Sequence, residues 1–155
     1  KLPYSICRPF NAYGVNEFPG AEVGYAHVIP DLVKKIFTGQ YPLELLGDGK
    51  QIRCFTHVSD LAEGIIAVAE DDRGINDDFN IADPRPITML ALAKLLWKIS
   101  GRNKPFKVRY VPGFEFDIKK RIPDTTKTAQ KIGWKAKMPL EKGLEEVVDW
   151  IAKTI

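Results

Sequence analysis

The run Gly47-Asp48-Gly49-Lys50-Gln51-Ile52-Arg53 places an arginine just beyond a glycine-rich turn. Its planar guanidinium offers a rigid fork of donors suited to a pair of phosphate oxygens. The same residue also reads as a solvated arginine on a hairpin. Asn11 follows the apolar run Tyr4–Cys7, at a strand end of the kind where open α/β sheets bind ligands. Its amide donates to phosphate or sugar oxygens and accepts from hydroxyls; an ordinary turn asparagine is the alternative. The chain has two cysteines and two histidines. Neither His27 nor His57 is placed by sequence as a base for Cys54, so no thiol nucleophile is expected. There is no CxxC pair for zinc and no carboxylate pair spaced for general acid–base work.

The elements that must position these residues follow from periodicity and turn signals. Tyr4–Cys7 is apolar without alternation, which predicts a buried parallel strand. Residues 16–24 read as a loop. From Tyr25, the apolar residues Val28, Ile29, Leu32, Val33, Ile36 and Phe37 keep helical spacing until Gly39. Leu43–Leu46 and Ile52–His57 flank Asp48-Gly49 and predict a hairpin. A helix is expected from Ser59 or Asp60, with Asp60 and Glu63 spaced as a capping box. Leu61, Ile65, Ile66, Val68 and Ala69 would form its apolar face. Phe79–Ala82 reads as a buried strand, followed by a helix capped by Thr88. Lys107–Val111 alternates as a strand does. Two further helices are expected over Thr125–Ile132 and Leu140–Ile155. Short strands alternating with helices make an α/β arrangement.

Composition excludes several classes. At 155 residues, 45% hydrophobic and 28% charged, the chain reads as one globular domain. A net charge of +3, spread along the chain, predicts no nucleic-acid partner. No run of about twenty apolar residues or signal peptide is visible, so no membrane association and a cytoplasmic location are expected. The start at Lys1-Leu2-Pro3, without Met, reads as the middle of a longer protein.

Four local patterns, in order, resemble the extended short-chain dehydrogenases, the NAD-dependent sugar-nucleotide epimerases and dehydratases. They are Arg8-Pro9-Phe10-Asn11-Ala12-Tyr13-Gly14; Gly47 to Arg53 followed by Val58-Ser59-Asp60; Phe79-Asn80-Ile81; and Pro123-Asp124 ahead of Ile132-Gly133-Trp134, Leu140-Glu141-Lys142-Gly143-Leu144 and Trp150. The resemblance covers nearly the whole chain and is closest to the UDP-glucose 4-epimerase type. It implies the C-terminal portion of an incomplete Rossmann-type fold, with a small mixed α/β substrate-binding domain. Residues 1–155 would then be the nucleotide-sugar-binding domain, and the N-terminal half with NAD and the catalytic Tyr and Lys would lie outside them.

By the same resemblance, Arg53 holds the diphosphate of a nucleotide sugar, a UDP-sugar first. Asn11 contacts that ligand, and Pro9 and Phe10 lie near the nicotinamide. His27 and Val28 stand where the family often has Asn and an apolar residue on the ligand. Leu45 and Leu46, otherwise core residues, would lie along the base. Cys54 replaces the family's Asp after the arginine. Many epimerases carry a second phosphate-binding Arg in Arg-x-Gly-Asp; Asp117 fits that Asp, but Phe114 stands at the Arg position. Arg121, in a pattern closer to the uronate decarboxylase branch, would supply the second contact or lie in a solvated basic turn. The complete enzyme would be a 4-epimerase first, a dehydratase or UDP-glucuronate decarboxylase second, and this portion alone inactive. A stand-alone, non-catalytic sugar-nucleotide-binding module is the rival reading. Strands left without the first half would expose an edge and an apolar face, which predicts self-association or a homodimer.

Overall fold

In the computed structural model, which describes residues 2–20 and 26–155, the strands are short and each helix buries one stripe. The chain runs β1 (Ser5–Pro9), β2 (Ala12–Tyr13), α1 (Val28–Phe37), β3 (Leu43–Leu46), β4 (Ile52–Cys54) and β5 (Thr56–His57). It continues through α2 (Val58–Glu70), β6 (Asp77–Ile81), β7 (Pro86–Thr88), α3 (Met89–Ile99), β8 (Val108–Val111), α4 (Thr126–Lys131) and α5 (Leu140–Thr154). Lys1 and the expected start of the first helix at Tyr25, with loop residues 21–24, lie outside the described residues. The chain divides into two compact units. The first comprises residues 1–13, 53–86 and 121–140; the second comprises 14–52, 87–120 and 141–155.

In the first unit β1 and β6 run parallel, Cys7 opposite Phe79, and α2 packs on both. Val68, Phe79, Ile81, Ile132 and Trp134 form the core, with Cys7 and Leu61 against it. The expectation of a buried first strand is corrected: β1 is parallel but mostly exposed, with Ile6 at 47%, because β6 is its one ladder partner among the described residues. Arg8 pairs with Asp78 across the two strands. Lys127 and Lys131 of α4 both reach Asp77 at 2.5 and 2.7 Å, and hydrogen bonds from these two ammonium groups hold its carboxyl well below the usual carboxylate range.

Two helix expectations are also corrected here. α2 starts at Val58 with His57 as its N-cap, the ring accepting from the Ser59 backbone N–H. Asp60 makes no capping box; its Oδ2 accepts the backbone N–H groups of Lys137 and Met138 at 2.9 and 2.8 Å. The buried stripe of α2 is Asp60, Gly64 and Val68, while Ile65 and Ile66 face solvent at 40% and 54% exposure. The reason is a close approach. A Cβ on Gly64 would lie 2.5 Å from Ile81 Cγ2 and 2.8 Å from the Trp134 ring, so the glycine turns the helix inward on its narrowest side.

In the second unit α1 packs on α3 and on β3. α1 buries Ile29, Leu32, Val33 and Ile36, and ends where Gly39 takes φ +87°. Its ion pair Asp31–Lys35, at 2.7 Å and one helical turn apart, is largely buried. The expected hairpin does not form. β3 instead pairs in parallel with β8, Leu45 opposite Tyr110. The turn between β3 and β4 has φ near +70° at both Gly47 and Gly49. Its carbonyls at Gly49 and Gln51 accept the N–H groups of Leu90 and Met89, so the turn caps the start of α3 rather than returning a ladder.

Gly64→Ala tests the close approach on α2. In an open helix the change would stabilise by up to about 1 kcal/mol. Against Ile81 and Trp134, overpacking costs about 1–3 kcal/mol and wins. Denaturant unfolding should show net destabilisation; a stabilised variant would contradict the packing described.

Candidate functional site

The end of β1 in the first unit is held by one buried threonine. Thr56 donates its N–H to the Asn11 carbonyl at 3.1 Å and its hydroxyl to the Phe10 carbonyl at 2.9 Å. The same hydroxyl accepts the Asp83 N–H at 3.0 Å, and Thr56 is fully buried. These bonds set Ala12 and Tyr13 opposite Thr56 and His57 in a parallel β2–β5 pair. Tyr13 then lies edge-on to His57, with ring centroids 5.3 Å apart.

Asn11 sits in the left-handed region, φ +38°, a conformation asparagine tolerates better than most residues. Its Nδ2 donates to the Cys54 carbonyl at 2.8 Å. Pro9, Phe10 and Asn11 are thereby laid beside the segment that follows Arg53, so the structure brings these four expected residues into one neighbourhood. Arg53 is half-buried, as are Phe10 and Asn11, and Pro9 is exposed. Arg121 also belongs to this unit and is exposed, ahead of buried Pro123.

Cys54 is fully buried; loss of solvent, and secondarily the charge of Asp83, push its thiol up. A buried thiol with a raised pKa is a poor nucleophile. Asp83 in turn is clasped by Arg85 through both carboxylate oxygens, and Arg85 Nη2 donates to the Met138 carbonyl at 2.7 Å.

The second unit carries the other expected residues. His27 is the N-cap of α1, 84% exposed at its side chain, with Nδ1 2.5 Å from Glu17 Oε1. Val28, the first helical residue, is half-buried. Leu45 is 3% exposed and belongs to the core, whereas Leu46 on the opposite face of β3 is half-exposed. Strand alternation separates the two, although they are neighbours in sequence. Glu44 pairs with Arg109 across to β8. Among the described residues no group of three His, Cys, Asp or Glu could hold a metal ion, and no helix is long and apolar enough to cross a membrane.

Sequence reasoning missed Thr56, Asp83 and Arg85. Nothing in a single threonine between Phe55 and His57 signals that three backbone groups converge on it.

The profile of the NAD dependent epimerase/dehydratase family matches residues 1–82. UDP-glucuronic acid decarboxylase 4 of Arabidopsis thaliana is 36% identical over 143 residues, covering 92% of this chain and 30% of that protein. Among solved structures, the UDP-glucose 4-epimerase of Thermotoga maritima, determined with UDP-glucose, superposes with TM-score 0.86 at 33% identity. That match covers 99% of this chain and 47% of the epimerase. The UDP-glucuronic acid 4-epimerase of Bacillus cereus, determined with UDP-glucuronic acid and NAD, gives TM-score 0.83 at 26% identity over 97% of this chain and 46% of that one. The chain thus spans less than half the length of these relatives. Its α/β fold with parallel strands is that of the Rossmann-type extended epimerases over that part.

The Asn11 geometry yields a two-variant test. Asn11→Ala removes the bond to Cys54 and places an alanine at φ +38°, costing about 1–3 kcal/mol in all. Asn11→Gly relieves the backbone but not the lost bond, and should recover part of that loss in thermal unfolding. Equal stability of both variants and the parent would refute this account.

Proposed function

Because the chain belongs to the NAD dependent epimerase/dehydratase family, we propose that it is the nucleotide-sugar-binding portion of an enzyme that remodels the sugar of a UDP-sugar. Residues 1–155 act as its C-terminal binding domain. The observation that carries this reading is the neighbourhood of Asn11 and Arg53 at the end of a parallel strand, fixed by Thr56. In the first unit, Arg53 takes the diphosphate, with Arg121 as a second cation. Asn11 gives one of its two amide N–H groups to the Cys54 carbonyl, which orients the side chain so that Oδ1 serves the ligand as an acceptor from a hydroxyl. In the second unit, Leu46 offers its half-exposed face to the base, Leu45 supports it from the core, and His27 and Val28 contact the ligand from the start of α1.

Bound in such an enzyme, NAD would supply reversible hydride transfer at a sugar carbinol. The donor set at the end of β1 fits only the ring end of that cofactor. Pro9 and Phe10 carry no polar side-chain atoms, and the Phe10 carbonyl is already engaged by Thr56, so the pair offers apolar contact to a nicotinamide. No residue assigned here moves a proton, and this portion binds without turning over.

Epimerisation at the sugar 4-position is the first reading, supported by the likeness to the Thermotoga enzyme. Decarboxylation of a UDP-uronate is the second, supported by the 36% identity to the plant decarboxylase. The exposed flank of β1 and of the residues before it, with Leu2, Tyr4 and Ile6 at 87%, 53% and 47% exposure, supports self-association of this chain.

Calorimetry with UDP tests the assignment: Arg53→Ala should weaken binding roughly ten- to hundredfold, as expected for a lost charge-assisted hydrogen bond of about 1.5–3 kcal/mol. Unchanged affinity with intact folding would remove Arg53 from the site. Sedimentation at rising concentration should show dimers or larger species; a clean monomer throughout would count against self-association.

A further inference from the structure

Helix α3 carries two apolar stripes. One, Leu92, Ala93 and Leu96, is buried, and the helix packs on α1. The other holds Ala91 and Leu95 beside Lys94 and Lys98, at the i, i+3, i+4 and i+7 spacing of a single helix face. Ala91, Lys94 and Lys98 are exposed and Leu95 is half-buried. Together with Trp97 and Phe106 this face lines an open groove of about 420 Å³. Its floor is firmly held. Trp97 is 5% exposed, and its indole N–H donates to the Lys104 carbonyl at 3.0 Å. The rings of Tyr41 and Phe106 each have centroids 6.0 Å from that of Trp97. A groove built on packed rings needs little rearrangement to receive a partner.

Charge around the groove is of one sign. From Ile87 to Phe114 the chain has Lys94, Lys98, Arg102, Lys104, Lys107 and Arg109 but no Asp or Glu, although the whole chain is nearly balanced at 23 basic and 20 acidic residues. Three of these cations are engaged. Arg102 donates to the Ile36 carbonyl, Lys104 stands over the Tyr41 ring, and Arg109 pairs with Glu44. The ammonium groups of Lys94, Lys98 and Lys107 make no hydrogen bond or ion pair among the described residues. An anionic partner is therefore favoured.

Shape decides which kind. A bilayer is met by apolar side chains that project into it; here the lysines project, while Trp97 and Leu95 are recessed. A recessed apolar floor instead takes side chains inserted from a partner helix. The acidic helix of this chain, α5, exposes Glu141, Glu145 and Asp149 but buries Leu144, Val147, Val148 and Ile151, so a second copy has no apolar face there to insert. We propose that this face of α3 is a docking groove for an acidic amphipathic helix of a partner protein. Its apolar side chains enter over Leu95 and Trp97, and its carboxylates meet Lys94 and Lys98. The groove shares no residue with the nucleotide site proposed above and stands independently of it.

The probe is a synthetic amphipathic peptide helix with leucines on one face and glutamates on the other, added to the full chain. Calorimetry should give a Kd of about 100 μM or tighter, weakening as salt rises. Backbone amide shifts in NMR should change within residues 91–106. Lys94→Glu/Lys98→Glu should weaken binding about tenfold or more through charge reversal, and Ala91→Glu should do the same by filling the groove. All three positions are exposed on a helix and glutamate is a good helix former, so these variants keep the fold. Absence of binding overturns the groove. Equal affinity for a peptide with lysines in place of the glutamates does so too, because charge would then play no part. Vesicles of phosphatidylglycerol that bind the chain, and lose it in Lys94→Glu/Lys98→Glu while the peptide does not bind, would make this a membrane-facing surface. Amide shifts in residues 91–106 that follow chain concentration without peptide would give the groove to a second copy and refute a separate partner.

Discussion

Thr56 is the constraint on which the first unit depends. Its hydroxyl and N–H tie two consecutive carbonyls at the end of β1, and its oxygen also receives Asp83. A fully buried hydroxyl must be satisfied, and this one is satisfied as both donor and acceptor. The consequence is geometric. Phe10 and Asn11 cannot continue a strand, Asn11 is turned into the left-handed region, and its side chain is aimed at Cys54. What would be a flexible loop after a strand becomes a fixed shelf beside Arg53. In the role proposed for them, residues on such a shelf lose little further freedom when a ligand arrives.

The second unit solves a related problem with glycine. Gly47 and Gly49 both adopt positive φ, so the turn can face its carbonyls toward the first residues of α3 and its N–H at Gly47 toward β8. One turn therefore anchors the start of α3 and the end of β8. That economy explains why the segment from Gly47 to Ile52 carries so little apolar content. Its work is done by the backbone, and a Cβ at Gly49 would press on Tyr110 and Leu90 at 3.2 and 3.3 Å.

The flank of β1 departs from the usual burial of a strand in a parallel sheet. A parallel strand in such folds is ordinarily covered on both sides, yet Ile6 of β1 and Tyr4 just before it are in solvent. The relatives are more than twice as long as the portion matched here, and the solved epimerase from Bacillus cereus carries NAD.

Much of this was legible in the chain itself. The extents of α1, α3, α4 and α5 follow from apolar spacing and from terminal signals such as Thr88 and Gly39, because helix formation is governed by neighbours in sequence. The order of the four motifs determined the family, and Arg53 and Asn11 could be singled out by residue type. Tertiary structure decided the rest. Whether Leu43–Leu46 pairs with Ile52–Cys54 or with Val108–Val111 depends on contacts more than sixty residues apart, which no local pattern encodes. Likewise the inward face of α2 was set by Gly64 against Trp134, not by its most apolar stripe, and Leu45 and Leu46 were parted by the pleat. Asp60 reads locally as a cap, yet its Oδ2 accepts the backbone N–H groups of Lys137 and Met138, more than seventy residues along the chain. Sequence determines which groups are available and which short segments are helical; only close packing determines which way they face.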